Sequence, residues 1–267
     1  MIRLPAVAGR FYPSEPEILA NQIGKFVSGA GEKVRALGCI VPHAGYMYSG
    51  HVAGAVYASI EIPRRCILLG PRHFPRGEPL AILTRGSFAT PLGEAQIDAE
   101  LAASVAREYP RLREDAVAHA QEHSLEVQIP FLQLLVKDIR FVPIVLATDR
   151  YGAIEGLGRA VAKVIASAAE PVLAIASTDM NHYENDAATR VKDALAIERI
   201  LALDPRGLFD TIRDEGISMC GYAATTAMLV AVNELRATEA RLVRYATSAD
   251  AGGDREQVVG YAGIVIR

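Results

Sequence analysis

The sequence is short of several things, and each shortage excludes a class of protein. Its three cysteines, Cys39, Cys66 and Cys220, are widely spaced and form no CxxC pair, which excludes a disulfide framework and a zinc-ribbon site. There is no basic excess: 28 Lys and Arg stand against 31 Asp and Glu, giving a net charge of -3. Nothing is there to neutralise a phosphate backbone, so no nucleic-acid partner is expected. No apolar run approaches the roughly 18 residues of a membrane span. Arg3, Glu15 and Glu17 interrupt the stretch where a signal peptide would carry its apolar core. A soluble, cytoplasmic protein with no membrane partner is expected. The chain also lacks a Pro/Gly/Ser linker, an internal repeat and a local HxH or HExxH metal motif.

What is present suits one large core. Hydrophobic residues make up 51% of the 267 and charged residues 22%, the balance of a globular protein. Strand-length apolar runs occur at 38–42, 66–70, 80–83, 139–147, 172–177, 241–247 and 258–266. They are rich in Val, Ile and Leu, and several lack polar alternation, as strands covered on both faces do. Helix-length amphipathic stretches separate many of them, at 15–27, 50–60, 99–109, 125–136, 152–168, 187–203 and 222–235. Ser49, Asp98 and Ser124 are candidate N-caps for the second, third and fourth. Strands alternating with helices predict a single α/β domain over 1–267, a sandwich with a largely parallel central sheet covered by helices.

In such sheets ligands bind beyond the carboxyl ends of the strands. His43 follows the run GCIVP, His73 follows CILLGPR, and Asp179 and His182 follow VLAIAST. A lone histidine at a strand end is usually a hydrogen-bonded structural residue. Three strand ends carrying ligand-type residues point instead to a His/His/Cys or His/His/Asp set around a metal. Asp179 and His182 are spaced to face each other if their segment begins a helix, the carboxylate then orienting the imidazole as a base. Otherwise the Asp caps a helix and the His is partly exposed. A Cys220–His dyad oriented by Asp179 would be the nucleophilic alternative. Cys220 precedes Gly221 and a helix, where a thiolate is favoured, whereas Cys39 and Cys66 sit in strand-like runs as inert buried thiols. His51 has no evident partner, and His119, in DAVAHAQEH, is expected to be solvated. Tyr46, Tyr48 and Tyr183 neighbour the candidate ligands. Arg72 is either a loop charge or an attractor of anionic substrate.

The motifs RLPAVAGRFYP, VPHAGYMYSG, LLGPRHF, EHSLEVQIPFLQ, STDMNHYE and MCGYA run in order along nearly the whole chain. In that order the sequence resembles the Memo family, the Memo-like component of a three-part system with a radical-SAM protein. That family is similar in fold to the class III extradiol dioxygenases, which are non-haem iron(II) enzymes. The resemblance implies His43, His73 and Cys220 as metal ligands, with Cys220 where the dioxygenases hold a glutamate. It implies Asp179 and His182 as an acid/base pair beside the cavity, and His123 of EHSLE as a further catalytic residue lining it. Iron(II) is the cofactor first expected; a thiolate ligand also suits copper or zinc. Arg72 stands where the family has a small polar residue and His51 where it has a proline. Two functions follow from the resemblance. One is a redox enzyme acting on a small molecule; the other is an inactive binding module that takes phosphotyrosine peptides or small anions in the same pocket. A radical-SAM protein is the expected functional partner.

Overall fold

The computed structural model describes residues 1–29 and 31–267. Four runs of Val, Ile and Leu make its frame. The strands Gly38–Val41, Arg65–Pro71, Arg140–Leu146 and Val172–Ser177 are buried throughout except at Arg140. Such strands need cover on both faces. They pair in parallel in the order Arg140–Leu146, Arg65–Pro71, Val172–Ser177, Gly38–Val41. Val258–Ile266 joins antiparallel to Gly38–Val41, and Ala240–Thr247 pairs antiparallel to it in turn. At the other side the hairpin Ser87–Thr90 and Gly93–Ile97 adds to Arg140–Leu146, turning at Gly93, whose φ of 106° is in the region only glycine enters freely.

Helices cover both faces of this mixed sheet. Tyr222–Glu234 lies over Arg65–Pro71 and Val172–Ser177 and against Tyr151–Ser167. That helix crossing is close: a Cβ on Gly158 would lie 2.5 Å from the Ala227 carbonyl oxygen. On the other face Tyr46–Ala58 packs against Val258–Ile266, with Pro16–Phe26 outside it. Among the described residues no helix is long and apolar enough to cross a membrane.

The expected strands are all present, within a residue or two at their ends. The helices depart more. The second begins at Tyr46, not 50, because the turn at Gly45 starts it; Ser49 lies inside and donates its hydroxyl to the Ala44 carbonyl. Asp98 does cap Ala99–Glu108, accepting from the Leu101 N–H at 3.1 Å. Ser124 caps nothing. Its hydroxyl donates to the Pro71 carbonyl at 2.9 Å, and the stretch after it is a 3-10 turn, Glu126–Gln128, followed by the helix Ile129–Leu135. A further helix, Pro205–Asp214, follows 203, capped by Asp204 with Pro205 in its first turn. The segment at 179–182 does not begin a helix; His182–Glu184 is a short strand beside Val258–Ile266. His119 is not solvated but 1 % exposed, in the short helix Ala116–Ala120 that Asp115 caps, with its ring edge-on to Phe88. Burial lowers its pKa to about 4.

Candidate metal centre

Parallel pairing puts the carboxyl ends of the central strands on one edge. Ser177 is opposite Val41, and Leu146 opposite Pro71. His43, His73 and Asp179 each lie two residues beyond the end of their strand, at Val41, Pro71 and Ser177. The edge therefore delivers three ligand-type side chains to one place. A cleft of ≈ 560 Å³ there is lined by His43, His73, His123, Asp179, His182 and Cys220, together with Phe11, Tyr183, Ser218 and Val259. All six residues singled out from the sequence meet in it.

The three imidazoles His43, His73 and His123 form a cluster able to hold a metal ion: their ligating atoms all lie within 4.8 Å of one another. His73 and His123 stack with centroids 4.5 Å apart, and His43 stands edge-on to both. Each of two rings has one nitrogen occupied by the protein. The Ser177 hydroxyl donates to the Ser124 carbonyl at 2.6 Å, so its oxygen accepts from His43 Nδ1–H at 3.0 Å. His73 Nδ1–H donates to Glu122 Oε1 at 2.8 Å. Both bonds fix the tautomer that leaves Nε2 unprotonated, the arrangement that orients histidine ligands in metal sites.

Cys220 approaches from the loop before Tyr222–Glu234, its Sγ 3.3 Å from His43 Nε2. The Asp179 N–H donates to that sulfur at 3.3 Å. This approach depends on Gly221, where a Cβ would lie 2.5 Å from Thr178 Cβ and 2.6 Å from the Ser177 carbonyl oxygen. Asp179 Oδ1 accepts from the backbone N–H groups of His43 at 2.7 Å and Ala44 at 3.3 Å, fixing the His43 turn. It does not orient His182. That ring donates from Nδ1 to the Ser218 carbonyl at 2.9 Å, which leaves its Nε2 as a proton acceptor.

The electrostatics suit a cation. Burial, and then the neighbouring His73, hold the His43 imidazole well below its ordinary pKa, so it is neutral and able to ligate. Burial and His43 bring His123 down to about 4. His73 is also penalised by burial, but its bond to Glu122 and the charge there outweigh this and raise it. Glu122 falls to about 2 despite its own burial, because His73 and the Ser124 N–H hold the charged form. Burial raises the Asp179 carboxyl, and burial and Asp179 raise the Cys220 thiol. A thiolate in that position needs a cation beside it. The donor set, two imidazoles each fixed through Nδ1, a third imidazole, a thiol and a carboxyl, fits a divalent or softer metal ion.

Three contributors were missed from sequence. Glu122 adjoins His123 in QEHSLE, and an acid beside a candidate histidine was an available signal. Ser177 and Ser218 gave none, since their partners come from distant segments. Arg72 does not face an anion: it donates to the carbonyls of Arg76 and Gly77, folding onto its own loop. Tyr46 is buried, and its hydroxyl donates to the Val127 carbonyl at 2.7 Å.

Comparison with known proteins identifies the family. The family profile described as Memo-like protein matches residues 3–265. A MEMO1 family protein of Methanopyrus kandleri is 41% identical, the alignment covering 100% of this chain and 99% of the relative. One from Pyrobaculum arsenaticum is 40% identical over 99% and 98%, and one from Methanosarcina mazei 38% identical over 99% of each. With residues 3–265 matched by the family profile and relatives near 40% identical over 98% or more of their length, the chain belongs to the Memo family.

Proposed function

We propose that the protein is a metal-dependent oxidoreductase related to the extradiol dioxygenases. His43 and His73 would hold the metal through Nε2 and Cys220 through Sγ, and His123 lines the same space. Iron(II) is the first choice; the thiol also suits copper or zinc. The observation that carries this is the pair of occupied nitrogens. Ser177 and Glu122 each fix one nitrogen of a ligand imidazole and free the other toward the same cleft. A bound metal would supply Lewis acidity and, as iron or copper, one-electron chemistry.

The chain's own residues do the rest. His182 Nε2 takes a proton from a substrate hydroxyl, while its Nδ1–H stays on Ser218. Asp179 Oδ2, which has no protein hydrogen bond among the described residues, holds a proton readily because burial has raised the carboxyl. Phe11 and Val259 supply apolar wall that limits water at the reacting atoms. The alternative, an inactive module taking phosphotyrosine peptides or small anions, would need a free cation at the cleft, and the nearby Arg72 guanidinium is engaged by its own loop. The test is metal dependence. Iron(II)-reconstituted protein should consume oxygen in the presence of a catechol and lose that activity on chelation. Equal phosphopeptide affinity with and without metal, and no oxygen uptake, would favour the module.

A further inference from the structure

Apart from Phe11, the opening motif RLPAVAGRFYP has no part in the chemistry above, yet it is firmly held. Glu126, fully buried, accepts from the backbone N–H groups of Ala6 at 2.8 Å and Val7 at 3.0 Å and from the Tyr12 hydroxyl at 2.6 Å. It also pairs with Arg3, which in turn donates to the Glu122 carbonyl at 2.6 Å. One buried carboxylate thus fixes the N-terminal segment to the loop that presents Glu122 and His123. Such a network is costly to bury unless every member is satisfied.

The segment so held is a wall. A second cavity of ≈ 540 Å³ has Leu4, Pro5, Ala6, Val7, Arg10 and Phe11 among its lining. Phe11 and His123 line both this cavity and the metal cleft, packed edge to face with centroids 4.8 Å apart. Phe74, 40% exposed although large and apolar, lines it as well. Its one cationic lining residue is Arg10, which makes no ion pair or side-chain hydrogen bond among the described residues. Several other arginines, among them Arg159, Arg206 and Arg267, fold onto carboxylates.

Resting on the proposed metal centre, we propose that this second cavity is the substrate's tail subsite: it takes an apolar arm that ends in a carboxylate, the arm against Phe11 and Phe74 and the carboxylate on Arg10. The substrate class is then an elongated organic acid whose reacting end lies among His43, His73 and His182. An unpaired guanidinium at the rim of an apolar cavity matches a planar carboxylate in two hydrogen bonds and leaves a neutral terminus unrewarded.

The test uses 4-phenylbutyrate and its neutral counterpart 4-phenylbutanol, titrated calorimetrically into metal-free full-length protein. Wild type should bind the carboxylate about tenfold more tightly than the alcohol, the scale of a charge-assisted hydrogen bond. Arg10→Gln should reduce that preference to about twofold and leave the alcohol's affinity unchanged, while Phe74→Ala should weaken both probes. Arg10 makes no contact the fold needs, so its variant should fold. No preference in wild type, no binding of the carboxylate, or a preference kept in Arg10→Gln would each overturn the subsite. Metal content of the same preparations before chelation reports separately on the metal centre, so failure of one reading is distinguishable from failure of the other.

Discussion

At the amino ends of the central strands a cavity of ≈ 770 Å³ is bordered by Arg35, Glu61, Glu170 and Arg267 among apolar side chains. The carboxyl ends carry a smaller one, ≈ 560 Å³, with four imidazoles, a thiol and a buried carboxyl in its wall. The larger cavity contains no histidine or cysteine, and its Arg267 is already paired with Glu239. Volume therefore says little about where chemistry occurs; the donors do. The difference has a cause in the topology. Loops leaving the carboxyl ends of parallel strands converge on one edge, and each residue placed two positions past a strand end meets its counterparts. At the amino ends the bordering charges, Arg35, Glu61, Glu170 and Arg267, are exposed to water, which screens them from one another.

The comparison can be broken most severely through the support of the carboxyl-end loops. Arg3→Ala removes the partner of fully buried Glu126 and the donor to the Glu122 carbonyl. It should cost about 3–5 kcal/mol of stability, the scale for an orphaned buried charge, read as a lowered midpoint in chemical denaturation. Glu122→Gln keeps the shape but removes the charge on His73 Nδ1. Metal affinity should fall about 10–100-fold without unfolding, read by competition with a chelator of known affinity.

A subtler contrast lies in Asp193, which accepts from the Asn181 N–H at 2.8 Å and the Tyr245 hydroxyl at 2.7 Å and so supports the loop before His182. Burial raises it from 3.8 to about 6. The folded state therefore holds the proton more tightly than the unfolded chain. Its stabilising contribution is full below pH 3.8 and is lost as pH rises through about 6. Wild type should lose about 2–3 kcal/mol relative to Asp193→Asn across that window; parallel pH profiles for the two proteins would contradict this. The smallest effect belongs to the amino-end cavity. Glu170→Gln should change neither metal content nor stability by more than about 0.5 kcal/mol, and a loss of metal there would reverse the comparison.

Much of this was readable from sequence because the signals were local. A run of Val, Ile and Leu ending in a histidine identifies both the strand and its carboxyl end, as at His43 and His73. Asp98 capped its helix as expected because the cap is satisfied within its own turn. Long-range partners overrode the other local signals. Ser124 looks like a cap until the strand ending at Pro71 offers its carbonyl. His119 looks solvated amid polar neighbours, but the hairpin carrying Phe88 covers it. Asp179 and His182 suggested a mutual pair by spacing, yet one is claimed by the His43 turn and the other by Ser218. Ser177 becomes significant only once the sheet edge brings it to His43, and the bond from His73 to Glu122 likewise joins residues far apart in the chain.

The central claim is that the carboxyl-end cleft holds a metal through fixed imidazoles. It is tested most directly by the metal content of protein purified anaerobically without a metal-binding tag, wild type beside His73→Ala. Wild type should carry near-stoichiometric metal and the variant less than about a tenth of that. Equal metal in both proteins, or no tight uptake of iron(II), copper(I) or zinc by wild type, would contradict it.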